Sequence, residues 1–128
     1  MKLLLDTHSF LWFVSGDPKL SVQARSLIGA SENEIFLSTA SLWEIAIKSS
    51  LGKLNLAKPF EVLIPQQLNL NQIELLNITI AHTAFLTTLP FHHRDPFDRL
   101  LIAQSHVEDL PMISRDSAFD SYSIKRLW

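Results

Sequence analysis

Short apolar runs that end at an acid are the feature that most constrains how this chain can fold. Lys2-Leu3-Leu4-Leu5 meets Asp6, and Leu110-Pro111-Met112-Ile113-Ser114 meets Arg115-Asp116. Continuous apolar runs of about four to eight residues fit strands covered on both faces, as in a parallel sheet. Glu34–Ser38 and Ile73–Leu76 read as two more strands, and Ile124–Trp128 as an edge strand. Helical patterns fill the intervals. Phe10, Leu11, Phe13 and Val14 predict a short helix stopped by Ser15-Gly16-Asp17-Pro18, and Ser21 opens a second helix that Gly29 ends. A third is expected over Thr39–Leu51, with Leu42, Ile45, Ala46 and Ser49 on one face and Gly52 as terminator. Pro59 opens a fourth carrying Phe60, Leu63, Ile64 and Leu68, and Pro65 predicts a kink there or two short pieces. Thr79 caps a fifth through Thr88, with Ile80 and Ala84 inward and His82 at the surface or in the first turn. Ser117–Tyr122 reads as a short helix or turn. Strand and helix alternating in this way predict an α/β sandwich with a mainly parallel sheet.

The chain of 128 residues is 47% hydrophobic, enough for one compact domain over residues 1–128. Eleven basic against thirteen acidic residues leave a formal net charge of −2, so no global field draws it to nucleic acid. Contact with RNA would have to come from local groups: His92-His93-Arg94 with Arg99, or Lys48 with Lys53. The absence of cysteine excludes disulfides and thiolate metal sites. The apolar run at the start is too short for a signal peptide, and no run approaches the roughly 20 apolar residues that span a bilayer. A cytoplasmic protein without membrane contact is the expectation.

His92-His93-Arg94-Asp95-Pro96-Phe97-Asp98-Arg99-Leu100-Leu101-Ile102-Ala103-Gln104 runs from a polar, proline-broken loop into a helical pattern. Leu100, Leu101 and Val107 are spaced to share one buried stripe. Pro96 suits a first helical turn and turns Asp95 away from helical geometry, so Asp95 can cap. Asp98 then falls in the first turn, where free N–H groups favour a carboxylate. Both acids could simply complement a helix start. Asp6 could equally cap the helix after the first strand, and Glu44 could close a capping box with Ser41.

The alternative is shared placement. If right-handed crossovers bring the carboxyl ends of the strands to one edge, Asp6, Glu44, Asp98 and Asp116 converge in one crevice. Four crowded carboxylates repel, and a divalent cation offsets the repulsion. Oxygen-only ligands suit Mg²⁺ or Mn²⁺, which commonly bind phosphate, and the matching chemistry is metal-assisted phosphodiester hydrolysis. No Walker-type glycine loop and no Gly-x-Ser-x-Gly elbow occurs, which argues against nucleoside triphosphate hydrolysis and against a serine hydrolase.

Together Leu5-Asp6-Thr7-His8, Ser41-Leu42-Trp43-Glu44-Ile45, the His92–Gln104 stretch and Ser114-Arg115-Asp116 resemble the motifs of PIN-domain proteins, within them the VapC-type toxins of bacterial toxin–antitoxin pairs. The resemblance runs from Leu3 to Trp128. It implies a PIN-like three-layer sandwich, Mg²⁺-dependent ribonuclease activity, a small antitoxin partner and a homodimer. Position by position, Asp6, Glu44, Asp98 and Asp116 match the acidic quartet. Asp95 matches a supporting or capping position, or an outer member of the metal shell. Thr7 and Ser114 match polar positions beside the quartet. Arg94 and Arg99 would contact phosphate or pair with neighbouring acids.

Two other functions use the same residues differently. A PIN nuclease of RNA maturation or decay would share the site and lack the antitoxin, and a non-catalytic RNA- or protein-binding module would use the acids as caps. A phospho-acceptor receiver domain needs paired acids after its first strand and a lysine near its last. Thr7 and His8 follow Asp6 here, and no lysine lies near Ser114.

Overall fold

The computed structural model describes all 128 residues, Met1–Trp128. The elements run in the order β1 (Lys2–Leu5), α1 (Thr7–Ser15), α2 (Val22–Gly29), β2 (Glu34–Ser38), α3 (Thr39–Ser50), α4 (Phe60–Leu70), β3 (Ile73–Leu76), α5 (Ile80–Leu86), α6 (Pro96–Glu108), β4 (Met112–Ile113), a 3₁₀ turn (Ser117–Ser121) and β5 (Arg126–Leu127). The five strands form one sheet in the order β3-β2-β1-β4-β5, and every pairing is parallel. Leu5 is the register point, opposite Leu37 on one side and Ile113 on the other.

Alternation along β1 builds the three layers. Leu3, Leu4 and Leu5 are fully buried, and successive side chains leave opposite faces. Leu3 and Leu5 join Phe10, Ile35, Leu37, Ile45 and Ile64 under α1 to α4. Leu4 joins Leu101, Ile102, Met112 and Phe119 under α6 and the 3₁₀ turn, with Phe85 and Leu86 of α5 at the margin. The expected α/β sandwich is therefore realised, with a sheet that is parallel throughout.

Caps explain most helix starts. Asp6, Ser21, Ser38, Thr79 and Asp95 each accept a backbone N–H of the turn they precede. Gly16 ends α1 at φ +68°, a left-handed backbone that a Cβ would strain.

Several expectations are corrected. Ser38, the last residue of β2, caps α3 through its hydroxyl at 3.0 Å from Ala40 N. The helix thus begins before Ser41, and no Ser41–Glu44 capping box forms. Pro65 lies inside α4 without dividing it into two elements. On α6 the buried face is Leu101, Ile102, Gln104 and Ser105, and Val107 is exposed, because the i, i+1, i+4 face starts one residue later than the Leu100 pattern implied. On α5, Ile80 and Ala84 point outward. His82 is fully buried instead: its Nδ1 accepts from Thr79 N, and its Nε2 lies 2.8 Å from Glu108 Oε1 on α6. No helix is long and apolar enough to cross a membrane.

Candidate metal centre

The strand order puts a crevice above β1 and β4. The chain moves outward from β1 to β2 and β3, then returns to the other side of β1 as β4 and β5. Ligands collect at the carboxyl ends of the strands where the order reverses in this way. Asp6 stands directly after β1, and Asp116 stands three residues beyond β4. Helix α6 precedes a parallel strand and so runs back against the sheet, which starts it, with Asp98, at the same edge. Glu44 reaches that edge from the second turn of α3, one connection after β2.

Each acid is held by its own surroundings. Asp6 is buried and its Oδ1 accepts from Ser9 N at 2.8 Å. The Ser9 hydroxyl donates to the Ile113 carbonyl at 3.1 Å, and the nearby Ser114 and Ser9 hydroxyls favour the charged form of Asp6. Ser114 is fully buried, and its Oγ accepts from Asp116 N at 3.0 Å, which places that hydroxyl between Asp116 and the neighbourhood of Asp6. The Thr7 hydroxyl donates to Glu44 Oε1 at 2.7 Å and lies 2.9 Å from Ser41 Oγ. Glu44 Oε2 is met by Lys48 Nζ at 2.7 Å, one turn further along α3. Asp95 Oδ1 caps α6 by accepting from Phe97 N at 2.8 Å and Asp98 N at 3.1 Å.

Crowding shows in the protonation of the acids. Burial is the main cause that pushes Asp98 up to about 7, and Asp95, Glu44, Asp6 and Asp116 each add repulsion to it. Burial also raises Asp6, against the bonds from Ser114 and Ser9 and the charge of His8. The other three acids of the quartet, together with Asp95, therefore act on the Asp98 carboxyl group. Their packing is uneven: the tightest ligand-like group is Asp98, Asp116 and His93, whose donor atoms lie within 4.8 Å of one another. These oxygens, concentrated and under mutual repulsion, fit a hard divalent cation.

Two neighbours were not singled out as site residues from sequence. Lys48 was visible only as a basic residue, although its four-residue spacing from Glu44 is the signal of a helical ion pair. His93 is nine-tenths buried, and neither ring nitrogen has a hydrogen-bond partner. The two arginines expected near phosphate behave differently. Arg94 is exposed. Arg99 is buried, gives its guanidinium to the Leu89 and Pro90 carbonyls at 3.1 and 2.9 Å, and lies 3.9 Å from the Phe91 ring. With those donors engaged, Arg99 braces the loop that leads into α6.

Comparison with known proteins gives the family and the fold. The PIN domain profile matches residues 3–125. The chain belongs to the PIN-domain family. This PIN domain is similar to Ribonuclease VapC16 of Mycobacterium tuberculosis, 37% identical over 71 residues, which are 52% of this chain and 50% of that protein. The chain thus spans about half the length of the curated relative that it matches. Its fold is similar to the crystal structure of VapBC2 from Rickettsia felis bound to a DNA fragment from their promoter, with a TM-score of 0.75 at 14% identity, covering 99% of this chain and 98% of the other. A toxin–antitoxin complex from Klebsiella pneumoniae gives a TM-score of 0.66 at 14% identity, covering 98% and 96%. At that identity the likeness is one of fold.

Proposed function

We propose that this PIN domain is a metal-dependent endoribonuclease, the VapC-type toxin of a toxin–antitoxin pair, acting through Asp6, Glu44, Asp98 and Asp116. The observation that carries the reading is Asp98, a carboxyl raised to about 7 at a sheet edge where three other acids of the quartet press on it. The similarity to a ribonuclease over half of the chain supports the activity. Asp98, Asp116 and Asp6 would hold Mg²⁺ or Mn²⁺, with Glu44 at the margin. Such a cation neutralises charge on a phosphate and lowers the pKa of a bound water, the nucleophile that hydrolysis needs.

The protein's own groups set the stage for that chemistry. Ser114 holds the backbone at Asp116 and favours the ionised form of Asp6, and Thr7 orients Glu44. Lys48 balances the Glu44 charge. Asp95 supports the site through the start of α6. Arg94, exposed on the loop before α6, is the remaining arginine of the motif free to meet phosphate.

An antitoxin partner and cytoplasmic action complete the proposal. A cavity of ≈ 580 Å³ lies beside the crevice between α1 and the Lys53–Lys58 segment, lined by Leu11, Trp12, Leu54 and Leu56 and rimmed by Thr7 and Lys48. An amphipathic helix seated there would reach the acids. The structural relatives that carry this fold include a complex named VapBC2 and a toxin–antitoxin complex, which supports that choice of partner. Exposed Trp43, edge-on to Phe97 at 5.2 Å, offers an apolar face for homodimerisation.

The test is cleavage of single-stranded and structured RNA by antitoxin-free protein in Mg²⁺ or Mn²⁺ against EDTA. Metal-dependent cleavage that falls at least about a hundredfold in Asp98→Asn is expected. Cleavage that survives EDTA, or an equally active Asp98→Asn, contradicts the proposal. Folded protein that binds RNA and cuts none with metal bound would favour the binding-module reading.

A further inference from the structure

We propose that His93 supplies a nitrogen ligand to the crevice and, with Asp98 and Asp116, forms a subsite that prefers a transition divalent cation such as Mn²⁺ over Mg²⁺. The inference deepens the nuclease reading and rests on its metal site. His93 Nε2 lies 3.7 Å from Asp116 Oδ2, too far for a hydrogen bond, and neither ring nitrogen has another partner. A buried imidazole left unsatisfied is unfavourable and calls for an occupant between the two groups. That separation subtends roughly 120° at a cation about 2.1 Å from each atom, an ordinary angle between ligands. Asp98 completes the triad within 4.8 Å.

The imidazole is also held in place. Its ring stacks on Phe119 at 4.9 Å and 17° and packs against Tyr122 at 5.4 Å. The Tyr122 hydroxyl accepts from His92 N and His93 N at 3.0 and 2.9 Å and lies 3.2 Å from the Pro90 carbonyl, to which it donates. One tyrosine therefore fixes both the backbone and the ring, as a preorganised ligand requires. Imidazole nitrogen favours first-row transition ions, whereas Mg²⁺ keeps to oxygen.

The experiment is pulsed electron paramagnetic resonance on the full chain loaded with less than one equivalent of Mn²⁺. Wild type is compared with His93→Phe, which keeps the ring stacking, and with His8→Phe, which removes the histidine that acts on Asp6. The expected result is nitrogen coupling to Mn²⁺ that disappears in His93→Phe and persists in His8→Phe. Mn²⁺ affinity should fall by about tenfold or more in His93→Phe while Mg²⁺ affinity changes less. Bound Mn²⁺ without nitrogen coupling in wild type, or coupling that survives His93→Phe, overturns the role of His93 and leaves the nuclease reading intact. Wild type that binds no Mn²⁺ overturns both.

Discussion

Asp98 concentrates the electrostatics of this protein in one side chain. Its carboxyl is pushed up to about 7, first by burial and then by Asp95, Glu44, Asp6 and Asp116. In the unfolded chain the same group titrates near 3.8. A folded-state value above the unfolded one means that its contribution to stability is full below about pH 4 and is lost as pH rises through about 7. An asparagine has no such loss. Metal-free Asp98→Asn should therefore match wild type in thermal stability below pH 4 and exceed it by about 1–2 kcal/mol above pH 7, after allowance for solvent screening. Calorimetric scans across that range check it; a variant less stable than wild type at pH 8 would show that Asp98 serves chiefly as a helix-start carboxylate. Arg99 illustrates the opposite case at this scale. Its charge stood out in the motif, but two carbonyls and an aromatic ring occupy it.

Helix starts carry the site at the scale of elements. Asp95 is both a cap of α6 and a source of repulsion on Asp98, and two substitutions separate those effects. Asp95→Ala removes the cap and should cost about 1 kcal/mol of stability. Asp95→Asn keeps a capping oxygen and removes the charge, so denaturant melts should show it at least as stable as wild type. Equal losses in both variants would mean that the cap contributes little. Elements bounded by such local chemistry were legible in the sequence. Asp95-Pro96, Ser21 and Thr79 each mark a helix start that the fold keeps, and the apolar runs of β1 to β4 lie where the pattern put them. What was not legible depends on packing. Ser41-x-x-Glu44 has the form of a capping box, yet β2 runs so directly into α3 that Ser38 caps first and Glu44 turns to Thr7 and Lys48. His82 stands in the first turn of α5, one of its two expected places, but it is buried against Glu108. Ile80, expected inward, is exposed because Phe85 and Leu86 supply the apolar contact of α5. His93 was read only as part of a basic cluster. Its burial comes from Phe119 and Tyr122, far along the chain, and no local pattern announces them.

Across the whole molecule, one topological fact brings these parts together. The parallel order β3-β2-β1-β4-β5 places the ends of β1 and β4 side by side, so acids separated by up to 110 positions between Asp6 and Asp116 face one crevice. The central claim is that this crevice is a divalent-cation site. Isothermal titration of Mn²⁺ into metal-free protein at pH 8, where Asp98 is ionised, tests it most directly. Wild type should bind with an affinity that drops at least about tenfold in Asp98→Asn and weakens as pH falls below about 7. Binding that is absent, or that is the same in wild type and Asp98→Asn, would contradict the account and leave the four carboxylates as helix-start and loop residues of a fold without a metal centre.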